Sequence, residues 1–192
     1  MPRLFAAIEV TDETADALMD LEQPLPGARW LAADDFHLTL RFFGDVSNSA
    51  AREIADALAG IDLPMFELRL RGVNVFGAKE PHSIWVGVEP NPMLTALQAA
   101  TERAARIAGF APETRGYTPH VTIARLKRPR DEGIARYLTR NGRFTCPPFP
   151  VPRFALFSSK PKVGGGPYVI EEVFGLRGGS WDDTDDQFGP FD

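Results

Sequence analysis

The sequence predicts an α+β fold built on antiparallel sheet, and three observations carry that expectation. Apolar segments with a period of two alternate with amphipathic segments spaced three and four residues apart, up to about residue 177. Several connections between the strand-type segments are too short for the helical crossovers that parallel strands need. Glycine and proline, 17 of each, stand as turns between elements and do not form a linker or a low-complexity tract. With 44% hydrophobic residues, a chain of 192 residues can close a substantial core.

Residues 4–10 read as the first strand. Thr11 or Asp12 then caps a short helix with Ala15, Leu18 and Leu21 on one side, stopped by Pro24 and the Pro26-Gly27 pair. A strand follows at 36–43, and Ser47 or Asn48 caps a helix reaching about Leu58. Strands at 66–75 and 83–88 complete what reads as one half of the molecule. The longest helical pattern runs from Pro92 to Ala108, with Leu94, Leu97, Ala100, Ala104 and Ile107 on helical spacing and Gly109 as the stop. After it come a strand at 120–126, a helix at 131–138, and strands at 154–159 and 168–173.

The glycine-rich stretch 161–167 lacks the Lys-Ser/Thr ending and following helix of a phosphate-binding loop, so a hairpin connection is expected there. Residues 178–192 turn Asp-rich and are expected to form an acidic, disordered tail, leaving 1–177 as a single domain.

The net charge of −5 comes from that tail, because the remaining body carries equal numbers of basic and acidic residues. A neutral body does not suit wrapping a long duplex, which needs a basic stripe, but it permits one phosphate in a pocket. The one dense basic run is Arg125, Lys127, Arg128 and Arg130, read either as a phosphate-facing rim or as a solvated loop. Cys146 stands alone, excluding an intrachain disulfide and any thiolate cluster, and reads as a small buried residue. The start shows no secretory pattern, and no window reaches the ~18 apolar residues that span a bilayer. A cytoplasmic protein is the expectation.

Two of the three histidines share one setting: His37-Leu38-Thr39-Leu40 and His120-Val121-Thr122-Ile123, 83 residues apart. Composition alone does not account for the repeat. On a strand, side chains two apart share a face, so each motif presents an imidazole beside a hydroxyl while its apolar residues pack behind. If two similar half-sheets meet about an approximate twofold axis, the pairs face each other across a cleft. Facing imidazoles suit acid–base chemistry, one neutral and accepting while the other donates. His82 lacks the threonine and reads as an ordinary hydrogen-bonded residue. No metal is expected, since two histidines without nearby carboxylate or thiolate partners do not make a coordination set.

These motifs and their flanks resemble the 2H (two-histidine) phosphoesterase superfamily, and within it the LigT-like RNA 2′,3′-cyclic phosphodiesterases, also described as 2′-5′ RNA ligases. The resemblance rests on residues 3–8, 37–44, 84–88, 119–125 and 156–159 in that order. It implies two pseudo-symmetric lobes, each an antiparallel sheet with outer helices, around a central cleft. It further implies metal-independent hydrolysis of a terminal 2′,3′-cyclic phosphate on RNA or a nucleotide to a 2′-phosphomonoester.

On this sequence His37 would be the general acid and His120 the base. Thr39 and Thr122 would hold the nonbridging oxygens, and Arg125 would neutralise the growing charge. Phe42 occupies the place after His37 that Arg125 occupies after His120, and reads either as core packing with Leu38 and Leu40 or as a base-stacking surface. Strict alternation puts Arg125 on the face opposite His120, so its role requires a twist or strand end. Gly175 stands where the family commonly has proline. No cofactor is needed, the acid, base and cation all being side chains, and a monomer carries both half-sites. Ligation by the reverse reaction and a non-catalytic nucleotide-binding module are the competing readings.

Overall fold

A computed structural model describes residues 1–77, 79–159 and 166–180. Most of the expected turn at 161–167 and residues 181–192 of the expected tail lie outside the described residues. The elements run β1 (Arg3–Glu9), α1 (Asp12–Met19), β2 (Ala28–Trp30), β3 (His37–Asp45), α2 (Asn48–Ala59), β4 (Phe66–Leu68), β5 (Leu70–Phe76), β6 (Ser83–Val88), α3 (Pro92–Ile107), β7 (His120–Leu126), α4 (Asp131–Asn141), β8 (Phe149–Val151), β9 (Arg153–Ser159) and β10 (Val169–Gly175).

Three helices start on side-chain caps. Ser47 accepts from the Ala50 N–H at 3.2 Å, Asn91 from Met93 and Leu94 at 2.9 and 3.1 Å, and Thr11 from Thr14 at 3.4 Å. Each supplies an acceptor to a backbone donor that the first turn leaves without one. Gly109, at φ +84°, ends α3 in the left-handed region that glycine adopts without a Cβ clash.

All strand pairs of the main sheet are antiparallel, in the order β10-β9-β1-β3-β7-β6-β5, with β2 beside β7. The expected α+β architecture of two half-sheets holds, and the halves join into one sheet where Leu38 of β3 meets Val121 of β7. Both residues are fully buried. Leu18, Ile54, Leu58, Leu97 and Ile134 from the four helices share one core with Leu4, Ile8, Leu38, Leu40, Val121 and Ile123. The helices therefore cover one face of the sheet. The other face carries a small cluster of Phe5, Ala7, Ala155 and Phe157 and is the face on which the site lies.

Among the sheet's register shifts, two bulges lie at equivalent places. Opposite β1, Ala6 pairs with Arg41 and Ala7 with Thr39, leaving Leu40 as an extra residue. Opposite β6, Ile84 pairs with Ala124 and Trp85 with Thr122, leaving Ile123 extra. Each extra residue lies three positions after a motif histidine and is buried. A bulge shifts the phase of every residue beyond it.

The expected strand at 66–75 divides between two partners: β4 leaves to pair with β8, while β5 pairs with β6. Both β2 and β8 were absent from the expected elements, being three residues long and defined by long-range pairing. The helix at 131–138 continues to Asn141, and the last strand begins after Tyr168 and runs to Gly175.

Candidate active site

Half-buried His37 and Thr39 alternate on β3 with buried Leu38 and Leu40, and half-buried His120 and Thr122 alternate on β7 with buried Val121 and Ile123. The Leu38–Val121 pairing sets the two motifs side by side in opposite directions. That antiparallel register carries His37 towards Thr122 and Thr39 towards His120. Thr39 and His120 wall the same groove.

Both imidazoles are oriented in the same way. His37 Nδ1 lies 2.9 Å from the Asp35 carbonyl and His120 Nδ1 lies 2.7 Å from the Thr118 carbonyl. A carbonyl only accepts, so each Nδ1–H donates, and Nε2 of each neutral ring carries the available lone pair. Rings hold these orientations from the sides. His37 packs against Phe5 at 4.8 Å and edge-on to Tyr168 at 4.7 Å, and His120 sits edge-on to Phe76 at 4.8 Å and beside Trp85 at 5.7 Å.

Burial pushes His37 from its ordinary value of 6.5 down to about 4, opposed by its bond to Asp35 and assisted by the positive charge of Arg125 and by His120. His120 is lowered in the same direction, by burial first and by Arg125 after its bond to Thr118 opposes the shift. Arg125 therefore acts on both rings. The bulge at Ile123 accounts for this: it returns Arg125 to the face of His120 and Thr122, where strict alternation would have turned it away. The Tyr168 hydroxyl is held above its ordinary range by burial and pulled back by the charge of Arg125.

The bulge at Leu40 does the same for Phe42. Its ring is 53% exposed and lies 5.5 Å from Phe5 on the site face, so it does not pack into the core with Leu38 and Leu40. Phe42 forms part of a groove of about 650 Å³ whose walls also include Thr39, Phe76, His82, Tyr117 and His120. Tyr117 donates to the Thr39 carbonyl at 3.1 Å, fixing the segment before His120 against β3. Arg41 points to the helix side, with Nε 2.8 Å from Glu102 and a bond of 2.7 Å to the Ala111 carbonyl. His82 lines the groove, 3.4 Å from Ser83 Oγ, and keeps its reading as a hydrogen-bonded residue.

All six residues singled out from the sequence thus lie on one face. The sequence reading missed Tyr168, Phe76, Trp85 and Tyr117, and it missed Arg29, which pairs directly opposite Arg125. Their positions follow from long-range strand pairing and no local pattern marks them. Among the described residues no group of three or more histidine, cysteine or acidic side chains is arranged to hold a metal, and no helix is long and apolar enough to cross a membrane.

Comparison with known proteins agrees with this geometry. A family model described as the 2′-5′ RNA ligase superfamily matches residues 10–161. An RNA 2′,3′-cyclic phosphodiesterase of Aeropyrum pernix is 40% identical over 100 residues, 51% of this chain and only 57% of that protein's length. One from Methanothermobacter thermautotrophicus is 29% identical over 184 residues, covering 91% of this chain and 98% of the relative. The E. coli LigT crystal structure complexed with 3′-AMP superposes with a TM-score of 0.73 at 25% identity, covering 92% of this chain and 99% of LigT. The chain belongs to the 2′-5′ RNA ligase superfamily.

Proposed function

We propose that this protein hydrolyses 2′,3′-cyclic phosphate ends of RNA or nucleotides to 2′-phosphomonoesters, with its two histidines as acid and base and without a metal or other cofactor. One observation carries the reading: two imidazoles on one open face, each with Nδ1 tied to a carbonyl and Nε2 left for proton transfer. The relatives named RNA 2′,3′-cyclic phosphodiesterase support it. The acting unit is the domain of residues 1–177, working as a monomer in the cytoplasm, in keeping with a lone buried cysteine.

Water attacks phosphorus as His120 Nε2 takes its proton, and the bond to O3′ breaks as His37 Nε2–H protonates that oxygen. The products are a 2′-phosphate and a free 3′-hydroxyl. Thr39 and Thr122 hydrogen-bond the nonbridging oxygens, Arg125 offsets the charge of the pentacoordinate transition state, and Phe42 stacks a base. In the free site His37, at about 4, is neutral near pH 7. The cyclic phosphate anion supplies the charge that draws a proton onto it. The same residues running backwards would join a cyclic end to a 5′-hydroxyl as a 2′-5′ ligase, but in dilute water hydrolysis prevails.

The depression of His37 to about 4, which keeps its Nε2 lone pair free near neutral pH, favours a second assignment, with His37 as base and His120 as acid. A substrate with sulfur at the 3′ bridging position separates the two, since thiolate leaves without a proton: it restores turnover to whichever variant lacks the acid. The primary test is hydrolysis of a nucleoside 2′,3′-cyclic phosphate in EDTA by wild type, His37→Ala and His120→Ala, with the product's phosphate position determined. Each variant should lose roughly 10² to 10⁴ in rate. Saturable binding without turnover would replace the enzyme with a nucleotide-binding module.

A further inference from the structure

A second guanidinium stands beside the reaction site with no role in the chemistry just described. Arg29 on β2 pairs directly opposite Arg125 on β7, and antiparallel partners project on the same side of the sheet. Arg29 therefore shares the site face with Arg125. It is exposed, and among the described residues no carboxylate comes within ion-pair distance of it. Asp35, beside His37, is the acidic group that feels its charge, and the Tyr168 hydroxyl feels it as well.

Two like charges opposite each other across neighbouring strands repel, and a protein that keeps them on a site face gains when anions lie between them. The phosphate to be cleaved is a monoanion, for which Arg125 already provides one cation. Neither arginine contributes to the groove that holds Phe42 and Phe76. The site thus combines a groove lined with aromatic rings and, separately, a paired cationic patch.

We propose that Arg29 forms a second anion subsite beside Arg125, in which it binds the phosphate on the 5′ side of the nucleotide whose cyclic end is hydrolysed while Arg125 serves the reacting phosphate. This rests on the hydrolytic reading above and narrows it: the preferred substrate is a cyclic end that carries a further phosphate. A guanidinium suits that task because its planar fork of donors matches two phosphate oxygens. The second phosphate belongs to one of two sources, the phosphodiester of an RNA chain or the 5′-monophosphate of a single nucleotide.

The test compares kcat/KM on three substrates: a nucleoside 2′,3′-cyclic phosphate, the same compound with a 5′-phosphate, and a short oligoribonucleotide with a cyclic end. Wild type, Arg29→Ala and Arg29→Lys are measured in parallel. Wild type should prefer one or both of the substrates with a second phosphate. Arg29→Ala should reduce that preference at least fivefold, chiefly through KM, and Arg29→Lys should recover part of it. The slope of log kcat/KM against log salt on the oligonucleotide should become shallower by about 0.7 in Arg29→Ala, the loss of one phosphate contact on a single strand.

A gain from the 5′-phosphate alone identifies the monophosphate as sufficient, and a gain confined to the oligonucleotide identifies the phosphodiester. Equal losses on all three substrates would overturn the proposal, placing Arg29 at the reacting phosphate or in the scaffold. Unchanged preference would overturn it too. If wild type turns over none of the three, the hydrolytic reading itself fails and takes this inference with it.

Discussion

Burying His37 in a neutral form should make the fold sensitive to acid in a defined window. The ring is packed against Phe5 and Tyr168, and that burial takes its pKa from 6.5 to about 4. In the unfolded chain His37 binds a proton once the pH falls below 6.5, whereas in the native protein it does so only near 4. The stability linked to this ring is therefore complete above pH 6.5 and is lost progressively as the pH falls towards 4. Between pH 7.5 and 4.5 the loss works out at about 2.5 kcal/mol, taking 1.36 kcal/mol for each tenfold change. His37→Gln removes the titrating group while its packing cost is the same at both pH values. Urea unfolding of both proteins at the two pH values gives the result as a difference of differences: wild type should lose about 2.5 kcal/mol more than the variant. Nuclear magnetic resonance titration of the ring protons gives the native midpoint of His37 directly, expected near 4. Equal losses in the two proteins, or a His37 midpoint near 6.5, would refute the reasoning.

Arg125→Ala should move the pH–rate profile of kcat/KM to higher pH, because the guanidinium lowers both histidines, and should cut kcat by roughly 10² to 10³; profiles of wild type and variant on one cyclic nucleotide decide this. Phe42→Ala should change stability by less than about 1 kcal/mol, since the ring is 53% exposed, yet raise KM about tenfold if it stacks a base, with Phe42→Trp retaining affinity. Arg41→Ala removes the ion pair to Glu102 and frees the Ala111 carbonyl, while Glu113 keeps its pair with Arg115, for an expected loss of about 2 to 3 kcal/mol in urea unfolding. Leu38→Ala at the seam should cost about 2 to 5 kcal/mol, measured in the same way.

Much of the site was legible because its information is local. A period of two places His37 with Thr39 and His120 with Thr122 on one side of their strands, whatever those strands pair with. Capping residues and proline fixed where α1, α2 and α3 begin, because an end donor is satisfied within three residues. The longest helix and the strands at 83–88 and 120–126 followed from the spacing of their apolar residues alone. The acid–base reading rests on this local layer, in which two equivalent imidazole–hydroxyl pairs recur in one chain.

Tertiary structure decided how those pairs meet and what surrounds them. Alternation alone turned Arg125 away from His120, and only pairing with β6 exposes the extra residue at Ile123 that turns it back. The matching bulge at Leu40 appears only against β1, and it moves Phe42 from the core face to the site face. Arg29 lies 96 residues before the strand position it faces, on a three-residue strand too short to have a period. Tyr168, next to His37 and Arg125, arrives from the far end of the sheet. The sequence by itself determined which side chains share a strand face, because that is set by backbone geometry within a few residues. The registers between strands distant in the chain, and with them the cationic patch, the ring contacts and the depressed histidines, depend on hydrogen bonds and packing that exist only once the sheet has closed.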